Sequence, residues 1–192
     1  MRKIDEQKKQ LIEQTVFVIT KEEGIQGLSF GKIAKRAQVS SGTPYVYFKD
    51  KTDMLSQLYL KVKLLADDHL QQDIDKGKTI EEKLFLSVNH FARVYANYPL
   101  EANFMTEIRA NPKLVTAEVR AAGNRSAKPL VEVMQAAIAQ DCVTTTNVEY
   151  ATVLLFAPFM MLLSERAAVG QTASLDELEA VVHLAVEGIL KK

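Results

Sequence analysis

Apolar side chains recur at three- and four-residue spacing along nearly the whole chain, the period of helices with one face turned inward. Leu11, Ile12, Thr15, Val16 and Ile19 form the first stripe, which ends near Gly24. Met54, Leu55, Leu58, Val62 and Leu65 form another, with Asp50 placed to cap it. Thr79 and Glu82 stand at capping-box spacing ahead of Ile80, Leu84, Val88, Phe91 and Tyr95. Pro99 then opens a short helix carrying Phe104, Met105 and Ile108. Asn111 and Pro112 read as an N-cap and first-turn proline of a helix running to about Gln140, with Gly123 as its break. Asn147 caps an apolar helix over 148–169 that stops at Gly170. Ser174 and Glu177 form a second capping box, before Leu178, Val182, Ala185 and Ile189. No stretch alternates apolar and polar positions as a strand does. The pattern predicts an all-α fold of about nine helices, divided into a small N-terminal unit over 1–49 and a helical body over 50–192.

Composition narrows the function classes. Apolar residues make up 47% of the 192, enough for a core. A single cysteine, Cys142, rules out an intramolecular disulfide and fits a reducing compartment. His69, His90 and His183 are far apart in sequence, so no metal site and no cofactor are expected; His90 is expected at a helix surface. The opening residues carry no apolar run of a signal peptide. The most apolar stretch, Tyr150 to Leu163, falls short of the roughly 18 residues of a membrane span, which predicts a buried helix in a soluble, cytoplasmic protein.

Charge separates the two ends. The net charge is zero, but residues 1–63 hold 12 Lys/Arg against 7 Asp/Glu, and residues 64–192 hold 12 against 17. A basic head on an acidic body suggests that only the head meets a polyanion. The segment from Ser29 to Lys51 gives that head a chemistry. Ser29 caps a helix, Ala37 to Ser40 make a turn plugged by Val39, and a second helix spans about 41–47 with Pro44 in its first turn. Ser41, Thr43, Tyr45 and Tyr47 are its exposed groups, with Lys49 and Lys51 just beyond, and Gly42 lets the backbone come near a phosphate. Hydroxyls and short apolar groups touch base edges; lysines suit phosphates. The second helix has no Arg, Asn or Gln for a bidentate base contact, so DNA shape must carry part of any readout. A helical hairpin that only packs a core remains the alternative.

The run FGKIAKRAQVSSGTPYVYFKDKTDML, residues 30–55, resembles the TetR/AcrR family of bacterial transcriptional regulators. The pattern Ser-Gly-Thr-x-Tyr-x-Tyr-Phe-x-x-Lys from Ser41 to Lys51 is its most specific part. The resemblance implies a homodimer with an N-terminal DNA-binding domain and a C-terminal domain for ligand binding and dimerisation. It places Thr43, Pro44 and Tyr45 near bases, and Ser29, Tyr47 and Lys51 near the DNA backbone. Two positions depart from the family pattern: Gln38 stands where glycine is usual in the turn, and Pro44 where a larger aliphatic residue is common.

The body offers weaker signals. The helix over 148–169 is apolar nearly all round, so it needs covering on more than one side. One cover is a second copy, through Leu154, Leu155, Met161, Leu162, Leu178, Val182, Ala185 and Ile189. Pro158 is expected to bend or locally break that helix and open space beside 79–97 and 99–109. Phe85, Phe91, Tyr95, Phe104, Met105, Phe156, Phe159 and Met160 are candidate lining residues for a small apolar effector, with Asn89, Arg93, Glu107 and Arg109 as polar candidates. The expected function is therefore a ligand-responsive transcriptional regulator, a repressor, binding a pseudo-palindromic double-stranded operator as a dimer and released when helix 50–72 swings. A helical carrier or scaffold for a hydrophobic ligand is the rival from another class. No nucleophile–base pair or glycine-rich phosphate loop argues for an enzyme.

Overall fold

Each long helix starts where the sequence supplies a cap. The structure, a computed structural model, describes residues 5–191, the side chain of residue 126 excepted. Helix α1 (Glu6–Glu23) begins at Asp5, whose carboxylate accepts from the Lys8 N–H, and ends at Gly24 with φ 72°. A 3-10 turn (Ile25–Gly27) leads to α2 (Phe30–Arg36), α3 (Pro44–Tyr47) and α4 (Lys51–Asp67). Then come α5 (Leu70–Ile74), α6 (Ile80–Asn97), α7 (Pro99–Ala110), a 3-10 turn (Pro112–Leu114) and α8 (Ala117–Ser126). The chain closes with α9 (Lys128–Ala139), α10 (Val148–Ala168) and α11 (Leu175–Ile189). Both expected capping boxes form, Thr79 with Glu82 and Ser174 with Glu177. Asn147 caps α10 through two backbone N–H groups. The β-structure among the described residues is one isolated bridge, Val143 to Leu190.

The described residues hold eleven α-helices rather than nine, for two local reasons. The helix expected over 50–72 stops at Asp67, because His69 adopts a left-handed conformation, φ 61°. The helix expected from Asn111 to Gln140 splits at Ala127, next to Pro129 in the first turn of α9, while Asn111 and Pro112 open only a 3-10 turn. Gly123 is not the break. It lies inside α8, and a Cβ there would come within 2.6 Å of the Tyr59 ring, so the missing side chain is what lets α8 lie against α4.

Contacts divide the chain into two units. The first comprises the residues up to Leu64 together with Pro99–Gly123. Its core gathers Ile12, Val16 and Phe17 of α1, Ile33 of α2, Phe48, and Met54, Leu55 and Leu58 of α4. Phe104, Met105 and Ile108 of α7 belong to the same core, with Phe17 edge-on to Phe104 at 5.2 Å between ring centres. The packing unit around the reading segment is thus larger than residues 1–49. The buried Glu13 carboxylate takes the Lys61 ammonium at 2.5 Å and ties α1 to α4. Leu11, expected in the inner stripe, is exposed.

The second unit holds Leu65–Tyr98 and the residues from Asn124 on. Helix α6 is its hub, packed against α5, α9, α10 and α11. Leu84, Val88, Phe91 and Tyr95 are buried on α6, with Leu155, Phe156 and Phe159 on α10. His90 is buried as well, only 6% exposed, which corrects the expectation of a surface histidine. Helix α10 runs unbroken through Pro158, whose missing N–H frees the Leu154 carbonyl. It is 21 residues long and apolar enough to cross a membrane, yet only 22% of its most apolar window is buried within the chain. The expected buried helix is therefore bare along one side, where Tyr150, Val153, Leu154 and Met161 are exposed.

Gly123→Ala tests the α8–α4 contact. Overpacking at so close an approach is expected to cost about 1–3 kcal/mol, read as a lower urea midpoint with an unchanged slope.

Candidate nucleic-acid interface

The turn between α2 and α3 is set by backbone chemistry. Ser29 caps α2 by accepting from the Lys32 N–H at 3.3 Å. At the other end the Gln38 N–H donates to the Lys35 carbonyl and the Val39 N–H to the Ala34 carbonyl, the paired bonds of a Schellman motif. That motif puts its C′ residue in the left-handed region, and Gln38 has φ 54°. The sequence departure at this position keeps the backbone shape its relatives' glycine allows and carries the steric cost. Val39 then packs against the core as expected.

Helix α3 is a single turn, Pro44–Tyr47, shorter than the expected 41–47. Ser41 and Gly42 lie in the turn before it, both exposed, and Thr43 stands at its N-cap position without a side-chain capping bond. The Thr43 and Ser40 hydroxyls share a 2.7 Å hydrogen bond. Tyr45 is 65% exposed, and its ring stands edge-on to Phe30 at 4.7 Å. Val46, beside it and absent from the expected set, is also exposed. A Cβ added to Gly42 would meet nothing within 4 Å, so no contact inside the chain requires glycine there.

Three of the expected residues turn inward. Pro44 is buried and presents little surface to a ligand. The Tyr47 hydroxyl donates to the Asp5 carbonyl at 3.0 Å, which fastens α3 to the start of α1. Lys51 donates to the Ile25 carbonyl at 3.2 Å, and partial burial holds its ammonium below the usual lysine range. Lys49 stays exposed, while its backbone N–H donates to Asp53 at 2.8 Å. Ser29, Ser41, Gly42, Thr43, Tyr45 and Lys49 therefore remain as outward groups. Phe30, Asp5 and Ile25 were not singled out by sequence; two of them act through backbone carbonyls, which leave no side-chain signature.

Known proteins share this segment. Residues 19–58 match the family described as bacterial regulatory proteins, tetR family. A fatty acid metabolism regulator protein of Bacillus subtilis is 35% identical over 101 residues, 52% of each chain.

This helix-turn-helix segment is that of the tetR family.

An uncharacterised helix-turn-helix transcriptional regulator of Haemophilus influenzae is 39% identical over 61 residues, 32% of this chain and 33% of that one. The chain thus spans about half, or less, of the length of these two curated relatives. Among solved structures, a TetR family regulator of Marinobacter aquaeolei superposes with a TM-score of 0.84 at 19% identity, covering all of both chains. The fatty acid degradation regulator FadR of Bacillus halodurans gives 0.71 at 22% identity, over 97% of this chain and 98% of that one. At such identities the likeness establishes the shared all-helical fold.

The body distributes the expected effector residues unevenly. Phe104 and Met105 are core residues of the first unit, with Glu107 and Arg109 on the same helix, α7. Within the second unit, Phe91 meets Phe156 at 5.4 Å, Phe156 meets Phe159 at 5.5 Å, and Tyr95 lies 6.2 Å from Phe159. Phe85 stacks on His183 at 3.9 Å. Met160 is half-buried and Arg93 exposed, while Asn89 is buried with its side-chain oxygen unpartnered. Of the expected pairing residues, Leu155, Leu178, Val182 and Ile189 are buried in their own chain. Leu154 and Met161 are exposed, and Leu162 and Ala185 are half-buried. Leu184, 69% exposed on α11, was not anticipated.

Gln38→Gly removes the strain of a left-handed non-glycine residue without touching the exposed groups of α3. It is expected to raise the unfolding free energy by about 1 kcal/mol, measured by thermal or urea denaturation.

Proposed function

We propose that this TetR-family regulator is a repressor that reads a pseudo-palindromic operator as a homodimer and releases it on binding an apolar effector. The observation that carries the reading is the exposed Tyr45–Val46 surface beside Gly42 and Thr43, on a turn whose other side chains are spent on holding it. Tyr45 and Val46 suit thymine methyls and base edges, Thr43 a base or phosphate oxygen, and Lys49 a phosphate. The open space at Gly42 fits close approach of a DNA backbone. In this reading residues 1–49 contact DNA, and 50–192 carry dimerisation and the effector site.

Pairing follows from the bare side of α10 and from Leu184 on α11. A contiguous exposed apolar surface is costly in water and marks an interaction face. A second copy supplies the matching surface and sets two reading turns about 34 Å apart, one DNA turn. Because the exposed α10 face ends in Glu165 and Arg166 and adjoins α11, a protein partner suits it better than lipid, consistent with a cytoplasmic regulator. The aromatic row of Phe91, Phe156, Phe159 and Tyr95 favours an apolar effector. Its likeness to a fatty acid metabolism regulator protein supports a fatty-acid-derived effector. Such a ligand shifts the DNA equilibrium only by its differential affinity for the two conformers.

Fluorescence anisotropy on the promoter DNA beside its own gene tests the reading. Tyr45→Ala is expected to weaken specific binding about tenfold or more, the scale of one lost base contact. Gly42→Ala is expected to weaken it comparably while leaving the melting temperature unchanged. Binding that ignores DNA sequence and both substitutions would overturn the operator reading and favour the carrier.

A further inference from the structure

The buried His90 makes a contact whose chemistry depends on its proton count. Its Nδ1 lies 2.7 Å from an Asp73 carboxylate oxygen of α5, and its Nε2 lies 3.0 Å from the Ala66 carbonyl in the last turn of α4. Both partners only accept hydrogen bonds when Asp73 is ionised. A neutral imidazole carries one N–H and satisfies one of them; the imidazolium carries two and satisfies both. The Ala66 carbonyl belongs to the last turn of α4, where carbonyls lack intrahelical partners, so His90 also acts as a cap on that helix end. The left-handed His69 and the start of α5 at Leu70 follow directly.

We propose that His90 is a proton-dependent latch on the end of α4: protonated, it ties the last turn of α4 to α5 and α6; neutral, it lets go of one of them. The charged surroundings suit that role. Asp73 also holds the Lys76 ammonium at 2.5 Å, so the carboxylate bridges two cations. Asp67 adjoins Ala66 on α4. The ring's other recorded neighbour is Phe91, edge-on at 5.4 Å. On the remaining elements packed against α6, Lys128 pairs with Glu132 on α9, and Arg166 of α10 with Glu177 of α11. Glu149, Glu165, Asp176, Glu179, His183 and Glu187 of α10 and α11 are exposed. On α6 itself Arg93 is exposed, as is Glu82, which is spent on the capping box at the far end. The device lies in one unit of the chain, and the inference stands whether or not the protein reads DNA.

The full-length protein tests it without a ligand. Ring 15N shifts of His90 by NMR report its proton count, and hydrogen–deuterium exchange of peptides covering residues 64–70, corrected for intrinsic pH dependence, reports the helix end. While both ring nitrogens carry hydrogen, exchange across 64–70 is expected to be slow. Exchange across 64–70 is expected to quicken at least tenfold as the pH is raised until the ring is neutral. His90→Gln should show the fast exchange at every pH, and Asp73→Asn should shift the transition to lower pH. A ring whose loss of a proton leaves exchange at 64–70 unchanged, or fast exchange already present while both ring nitrogens carry hydrogen, would overturn the latch. The wild-type titration decides the matter even if either variant fails to fold.

Discussion

A helix of four residues cannot hold itself together. One turn fixes backbone dihedrals for almost no internal hydrogen bonding, so α3 exists only because its neighbours impose it. Pro44 and Phe48 are buried at its two ends. Tyr47 reaches across to the start of α1, and Phe30 of α2 supports the Tyr45 ring. The Schellman turn at Gln38 aims the chain into this seat. Everything outward-facing depends on that arrangement: Gly42, Tyr45 and Val46 face solvent, and Thr43 half does, because the residues between and around them do not.

The same logic extends to α7. Its Phe104, Met105 and Ile108 fill the core that α1, α2 and α4 leave incomplete, although 34 residues of chain lie between the end of that first segment at Leu64 and Pro99. A head built this way is stabilised by a segment distant in sequence, and the short reading turn inherits its rigidity from a core larger than the motif.

Much of this was legible beforehand because caps are local. Asp50, Thr79, Asn147 and Ser174 each announce a helix start through a side chain and an N–H three residues away or less, and each does so in the structure. At Gln38 the sequence marked a departure from the family's glycine but left open whether the turn would differ; the structure keeps the left-handed turn. What escaped were features that depend on distant partners. Phe104 looks the same in a pocket as in a core. His90 on an amphipathic helix gives no sign that Ala66 and Asp73 will meet it. Gly123 resembles a helix break until Tyr59 is placed against it. Leu155 and Leu154 are adjacent leucines, and only the packed helix says that the first is buried and the second bare.

Apolar burial is non-directional, so a greasy helix face does not by itself distinguish one apolar surface from another. Shape must do the sorting. Pro158 lies in the middle of the exposed side of α10, replaces an N–H with a ring, and leaves the Leu154 carbonyl without its usual rung. A facing helix has to fit that ring and that open carbonyl together. The proline that the helix tolerates at some cost thereby gives the face a shape of its own.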